Sequence, residues 1–289
     1  DSPYGRSFTG SGDDATLKAL TRADLVAEHD AWVRPDNATI FVVSDQPLSA
    51  ITPQLETAFG DWRAPSTPKG TKSFAATIPA STNRIVLIDR PQSPQSLIYG
   101  GAVLPVSGTD DLLALNAANV TLGSDFLSRI NSDLRETKGW SYGVRGGVNA
   151  LEHRVPYIVN APVQANRTGE SIAALISQYD RFLQTDGVTP QELERTLNGN
   201  TRSLAGSYET AGQILGALRS NALYRRPDDY QATLASRTRA LTAAEMDAAA
   251  REVIKPDQFV WVVVGDATVV KPQLDALGLP VEVRQAGAQ

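Results

Sequence analysis

One stretch of this chain occurs twice. Residues 20–45, LTRADLVAEHDAWVRPDNATIFVVSD, align without a gap with residues 241–266, LTAAEMDAAAREVIKPDQFVWVVVGD, at an offset of 221 (241 minus 20). Leu20, Thr21, Ala23, Ala27, Pro35, Asp36, Val42, Val43 and Asp45 recur identically in that register. Each copy reads as a Thr-capped helix, a basic-Pro-Asp turn, a buried strand and an acidic exit. A gapless register across three kinds of local structure is hard to reach by convergence. The chain is therefore expected to hold two copies of one domain, the first truncated at its N-terminus.

The rest of the chain fixes the fold class. Residues 1–19 are polar and Gly-rich, and residues 48–59 read as a helix ending at Gly60. Residues 61–83 hold Pro65, Pro68, Gly70 and Pro79 among Ser, Thr and Lys, which reads as linker. Strands are expected at 84–89 and 96–104, helices at 109–122 and 125–138, and two antiparallel strands at 141–149 and 154–163. Helices follow at 168–186, 190–206, 208–224, 228–239 and 242–254, then a strand at 259–264 and a short closing helix. Strands, a run of helices and a last strand describe an α+β protein with helices on one face of a mainly antiparallel sheet. The expected division is a first domain over 1–65, a linker over 66–83 and a second domain over 84–289.

Composition removes several kinds of function. Cys is absent, which excludes disulfides, thiolate metal sites and cysteine nucleophiles. Only two histidines occur, His29 and His153, and neither sits in H-x-x-E-H or H-E-x-x-H, so no self-contained catalytic zinc site is expected. G-x-S-x-G is absent as well. With 27 Lys and Arg against 32 Asp and Glu and no long basic run, nucleic acid is not an expected partner. No uninterrupted apolar run reaches the ~18 residues of a membrane-spanning helix. The 289 residues, 42% of them hydrophobic, suffice for about two globular domains. The first residue is Asp1 rather than Met, so the chain is expected to be a piece of something longer.

Residues 121–148, TLGSDFLSRINSDLRETKGWSYGVRGGV, are the most specific stretch. They resemble the pitrilysin-type zinc metallopeptidases, the family of insulin-degrading enzyme and the mitochondrial processing peptidase. That family's second domains carry a glycine, then Ser-Arg-Leu, Leu-Arg-Glu and Gly-Leu-Ala-Tyr. Here these stand as Gly123, Ser128-Arg129-Ile130, Leu134-Arg135-Glu136 and Gly139-Trp140-Ser141-Tyr142. Gln95, the opening PYGR, the LTRADL helix and RPDNATIFVV add to the likeness, which covers nearly the whole chain. The family's active halves carry H-x-x-E-H and a downstream Glu, which are missing here.

The resemblance implies the mitochondrial-processing-peptidase-like fold and the role of a non-catalytic half. Such a half closes over a zinc-bearing half, binds extended peptide along a strand edge and presents Arg135 and Tyr142 to the scissile carbonyl. Zinc then belongs to the partner or missing half, with no cofactor in this chain. Bacterial relatives imply a periplasmic setting. A structural or assembly subunit of the same fold is the alternative, and an autonomous hydrolase using Ser with Lys or Asp is a third possibility.

The residues support the Arg/Tyr reading on their own terms. Arg135 falls near a helix C-terminus, with Gly139 as a left-handed stop, and Tyr142 is expected to begin a strand. The guanidinium offers a fixed fork of donors and the phenol adds one more. Aimed at a carbonyl oxygen that gains negative charge, such donors are worth a few kcal/mol. The alternative is an Arg135 paired with Asp133 or Glu136 and a Tyr142 packed in the core. Other polar residues read more plainly: His29 as a partly buried helix residue, His153 as a turn residue beside Glu152, and Asp125, Asp133 and Glu136 as surface charge. Gly146-Gly147 reads as a strand irregularity, and Trp140 as a core anchor or a cleft-lining residue.

Overall fold

Three helices start by the same device. Thr21, Thr189 and Thr242 each accept from the backbone N–H three residues on, and Asp24, Glu192 and Glu245 reach back to the threonine's own N–H. Each box satisfies two donors that a helix start leaves orphaned. The computed structural model describes residues 12–285; PYGR, at residues 3–6, lies outside them. The chain divides into two units, residues 1–79 with 210–219, and residues 80–209 with 220–289.

The first unit carries helices α1 (Asp14–Ala19), α2 (Arg22–Trp32) and α3 (Leu48–Phe59). Helix α1 was not expected; it is a six-residue helix capped by Asp13 with no buried residue. The first copy of the repeat forms its helix and then a 3-10 turn at Pro35–Asn37. The expected strand at Ile40–Val43 does not form. A strand needs a neighbour to take its N–H and C=O groups, and no strand is present in this unit among the described residues. Ile40 and Val42 stay exposed. His29 is exposed rather than partly buried, at 3.2 Å from Asp30. Part of the proline-rich segment is held in place. Arg34, 5% exposed, donates to the carbonyl of Thr67 at 2.8 Å and to that of Pro65 at 3.4 Å.

In the second unit the strands are β1 (Arg84–Asp89), β2 (Gln95–Leu104), β3 (Arg145–Val148), β4 (Val155–Gln164), β5 (Val260–Gly265) and β6 (Val281–Gln285). They form one six-stranded sheet in the order β3-β4-β2-β5-β1-β6. The pairs β3–β4, β4–β2 and β2–β5 are antiparallel, while β1 lies parallel to both β5 and β6. The fold is α+β, as expected, with a mixed sheet. β5 is the second copy's strand, and it forms because β2 and β1 flank it. The closing strand β6 had no signal in the sequence. It is a short edge strand with four of its five residues exposed, charges among them, and such an edge carries little hydrophobic pattern.

The helices after β2 are α4 (Leu113–Asn119), α5 (Arg129–Asn131), α6 (Thr168–Asp180), α7 (Pro190–Gly206), α8 (Ala211–Leu223), α9 (Tyr230–Ala240), α10 (Ala243–Val253) and α11 (Ala267–Asp275). Residues 211–219 of α8 belong to the first unit. The expected helices at 109–122 and 125–138 are shorter and wider than the periodicity suggested. Both pass into π-helical turns, at Val120–Ser124 and Ser132–Thr137, and a similar turn at Arg181–Asp186 extends α6. Burial alternates along β4: Val155, Tyr157, Val159, Ala161 and Val163 are buried and the residues between them are not. The buried face meets α6, and β1 meets α11. Tyr157, Tyr179, Phe259 and Trp261 form its aromatic centre, each fully buried. Burial pushes the phenols of Tyr157 and Tyr179 well above their ordinary range, so both stay neutral. Their hydroxyls hydrogen-bond each other at 3.1 Å.

Candidate functional site

Ile130 and Leu134, both fully buried, anchor the segment that carries the sequence motif. Their neighbour Arg129 has a structural role. Its Nε donates to Glu192 Oε1 at 2.8 Å and a terminal nitrogen donates to Oε2 at 2.7 Å, a bidentate pair. The guanidinium also lies 5.0 Å from the Phe182 ring centroid and contacts the Gly187 carbonyl. Both partners are only 15% exposed. Glu192 is thus shared between Arg129 and the cap of α7. Burial pushes its carboxyl up, but Arg129 and the N–H and hydroxyl of Thr189 outweigh burial and hold it below the ordinary carboxylate value.

The sign of that shift sets a pH dependence. A carboxyl depressed in the folded state contributes stability above its unfolded value of 4.5, and loses it as pH falls through the folded value. Thermal unfolding followed from pH 6 downward should show a midpoint that drops below about pH 4.5. Glu192→Gln should flatten that drop. An equally steep drop in the variant would assign the acid lability to other carboxylates.

Arg135 sits in the π-turn Ser132–Thr137, next to where the segment stops. Gly139 has φ of 66°, the left-handed stop expected from the sequence. Its N–H returns to the Arg135 carbonyl at 3.2 Å and the Trp140 N–H to the Leu134 carbonyl at 2.9 Å. The Arg135 side chain is 37% exposed; its guanidinium lies 3.0 Å from Glu136 Oε1 and stacks 4.5 Å from the Phe126 ring centroid. Its carboxylate neighbour is therefore Glu136, while Asp133 pairs with Lys138. Trp140 is half-buried between the cations of Lys138 and Arg167, each 5.6 Å from its ring, which makes it a surface residue rather than a core anchor.

Tyr142 is 87% exposed, so core packing is excluded for it. It does not begin a strand: β3 starts at Arg145, and residues 140–144 form a loop. The loop departs from strand geometry because Ser141 Oγ donates to the Pro162 carbonyl at 2.5 Å and accepts from the Gly143 N–H at 3.1 Å. Gln164 ties it further, through its N–H to the Trp140 carbonyl at 3.0 Å and its amide to the Gly139 carbonyl at 3.2 Å. A pinned backbone thus carries an exposed phenol.

Two buried asparagines that the sequence did not single out organise this corner. Asn131, 3% exposed, donates to the Phe126 carbonyl at 2.6 Å and accepts from the Val144 N–H at 2.8 Å. It thereby joins the loop before Arg135 to the loop that carries Tyr142. Asn119 donates to the Gly146 carbonyl at 2.9 Å and accepts from the Tyr157 hydroxyl at 3.2 Å. The Asn149 N–H donates to Pro156 on β4. By the alternation of an antiparallel ladder, Arg145 and Gly147 also face β4, while Val144 and Gly146 face outward. The asparagines therefore cover the outer edge of β3 at Val144 and Gly146. Gly146 lies in regular strand, not at an irregularity, and its missing side chain leaves room for the Tyr157 hydroxyl. The available signal was position: Asn131 lies three residues before buried Leu134, on the apolar stripe of its helix.

Metal-binding capacity is low. Among the described residues no three His, Asp or Glu side chains gather into a group that could hold a metal ion. His29 has Asp30 beside it and His153 has Glu152 at 3.7 Å, one carboxylate each, short of the three protein ligands of a catalytic zinc. These residues do not fit a zinc ion. Elemental analysis of the dialysed chain should find no stoichiometric zinc; one tightly held zinc, lost when His29 or His153 is replaced, would contradict this.

A groove of about 440 Å3 lies beside Arg129, lined by Ser132, Asp133, Thr137, Arg181 and Asp186, and includes neither Arg135 nor Tyr142. No described helix is long and apolar enough to cross a membrane.

Residues 19–200, more than half of the chain, match the family described as the peptidase M16 inactive domain, and the chain belongs to that family. An uncharacterized zinc protease of Mycobacterium tuberculosis is 23% identical over 260 residues, 88% of this chain. The chain spans 57% of that relative's length. Among solved structures, the peptidase M16 inactive domain from Pseudomonas fluorescens superposes with a TM-score of 0.75 at 27% identity, over 88% of this chain and 60% of that one. A protease from Helicobacter pylori superposes with a TM-score of 0.78 at 16% identity, over 88% of this chain and 61% of that one.

Proposed function

We propose that this chain is the non-catalytic half of a zinc metalloendopeptidase. It closes over a zinc-bearing half, contacts an extended peptide and presents Arg135 and Tyr142 to the scissile carbonyl. The observation that carries this reading is the contrast at Tyr142, an exposed phenol on a loop held by Ser141 and Gln164, seven residues after a partly exposed Arg135. Exposed tips on fixed backbones are what a donor pair needs when its acceptor arrives from another body. Arg135 touches Glu136 through Nε, and on this reading its terminal nitrogens serve the substrate. Because Asn119 and Asn131 cover β3 at two outward positions, this unit meets the peptide beside β3 through side-chain donors.

Zinc and its ligands belong to the other half, and the setting is the periplasm. The first 65 residues are the end part of a truncated first domain, joined by residues 66–83 to the second. The test is reconstitution: a zinc-bearing half assayed with this chain, and with its Arg135→Ala and Tyr142→Phe variants. Cleavage that needs this chain and falls with either variant supports the reading. Cleavage indifferent to both variants, with normal assembly, would leave a purely structural subunit.

A further inference from the structure

The arginine and the tyrosine sit on different segments, and one buried carboxamide spans the two. We propose that Asn131 and Phe126 are positioning residues for the Arg135/Tyr142 pair; the proposal rests on the reading just given. Asn131 is held between Ile130 and the Leu134 turn, all three buried in the same stripe. Its amide nitrogen grips the Phe126 carbonyl and its oxygen holds the Val144 N–H, two residues beyond Tyr142. Phe126 is fixed from a second side, where the Asp125 carboxylate accepts the Leu127 N–H at 2.8 Å and the Asp125 carbonyl accepts the Ser128 N–H at 3.1 Å.

Phe126 is 47% exposed. Its inner face meets the Arg135 guanidinium at 4.5 Å. A ring face holds a guanidinium flat without using any of its N–H donors. Glu136 at 3.0 Å pulls the same group sideways. The ring therefore sets the plane of the fork while Glu136 sets its rotation, and Asn131 fixes where the ring stands relative to the Tyr142 loop. Phe126 and Asn131 lie outside the Leu-Arg-Glu and Gly-x-x-Tyr motif.

The experiment measures kcat and KM on one peptide in the complete zinc-bearing assembly. The variants are Asn131→Asp, Phe126→Leu and Phe126→Tyr, alone and combined with Arg135→Ala. Asn131→Asp keeps the acceptor for Val144 and replaces the donor to Phe126 with a repelling oxygen. It should lower kcat about 10- to 100-fold with little change in KM, the scale of a small displacement of a catalytic group. Phe126→Leu, on an exposed loop where folding is not at risk, should lower kcat about two- to fivefold, and Phe126→Tyr should restore it. On the Arg135→Ala background the Phe126→Leu loss should vanish and the Asn131→Asp loss should shrink, because Phe126 acts only through Arg135 and Asn131 acts partly through it. Losses that add to that of Arg135→Ala, or that follow thermal stability and KM, overturn the positioning role alone. A silent Arg135→Ala overturns the pair and the positioning together.

Discussion

Arg129→Ala should destabilise the second unit by roughly 2–4 kcal/mol, a loss of about 6–10 °C in its thermal midpoint. The expectation rests on what the substitution leaves behind. Glu192 is 15% exposed and loses both guanidinium bonds at once. Removing one partner of a largely buried pair strands the other charge, and that desolvation exceeds what the pair contributed when intact. The Gly187 carbonyl and the Phe182 ring lose their cation as well. The effect reaches α7 because Glu192 is also the third residue of its capping box. The second variant, Arg129→Met with Glu192→Gln, removes the stranded charge and should recover a large part of the loss. Circular dichroism melts at pH 7 decide. A single variant within about 1 °C of the parent would show that water already screens the pair.

The assignment of Arg129 shows how far the sequence alone carries. Its Ser-Arg-Ile triplet stands out as clearly as Leu134-Arg135-Glu136, yet Arg129 is consumed by Glu192, 63 residues later in the chain. Local pattern cannot reveal a partner at that distance. What was legible is what is encoded locally: the threonine capping boxes, the bounds of β1 at Arg84–Asp89 and of the helix Pro190–Gly206, and the left-handed stop at Gly139. The repeat also holds in its local parts. Arg22–Trp32 and Ala243–Val253 differ by 221 at both ends, as do Pro35–Asn37 and Pro256–Gln258. It fails at the strand, because strand formation needs a neighbour that the first copy lacks among the described residues.

Other misses have the same cause. The π-turns at Val120–Ser124 and Ser132–Thr137 shift the helical phase, which a fixed period of 3.6 does not follow. Tyr142 was expected on a strand, and Ser141 instead folds the chain into a loop against Pro162, 21 residues away. Arg135 and Tyr142 were singled out by motif and chemistry. The contacts of Asn131 and Phe126 were not legible, because they join residues brought together only by the folded chain.

Tyr142→Phe should lower kcat about 10²–10³-fold in the complete zinc-bearing assembly, and Arg135→Ala should do so to a similar extent. A donor to the scissile carbonyl acts mainly as negative charge develops on the oxygen, so the loss falls on turnover rather than on peptide affinity. Tyr142→Phe removes one oxygen from a side chain that is 87% exposed. Nothing in the core depends on that oxygen, so thermal stability should stay within about 0.5 kcal/mol of the parent. Arg135→Ala also gives up the Phe126 stack and the Glu136 contact, so its stability control matters more. The most direct measurement is therefore kcat and KM for Tyr142→Phe, with the melting temperature of the same preparation. A donor role for Tyr142 requires a large fall in kcat, a KM within a few-fold of the parent and an unchanged melt. Parental kcat with a normal melt would contradict it and remove Tyr142 from the chemistry.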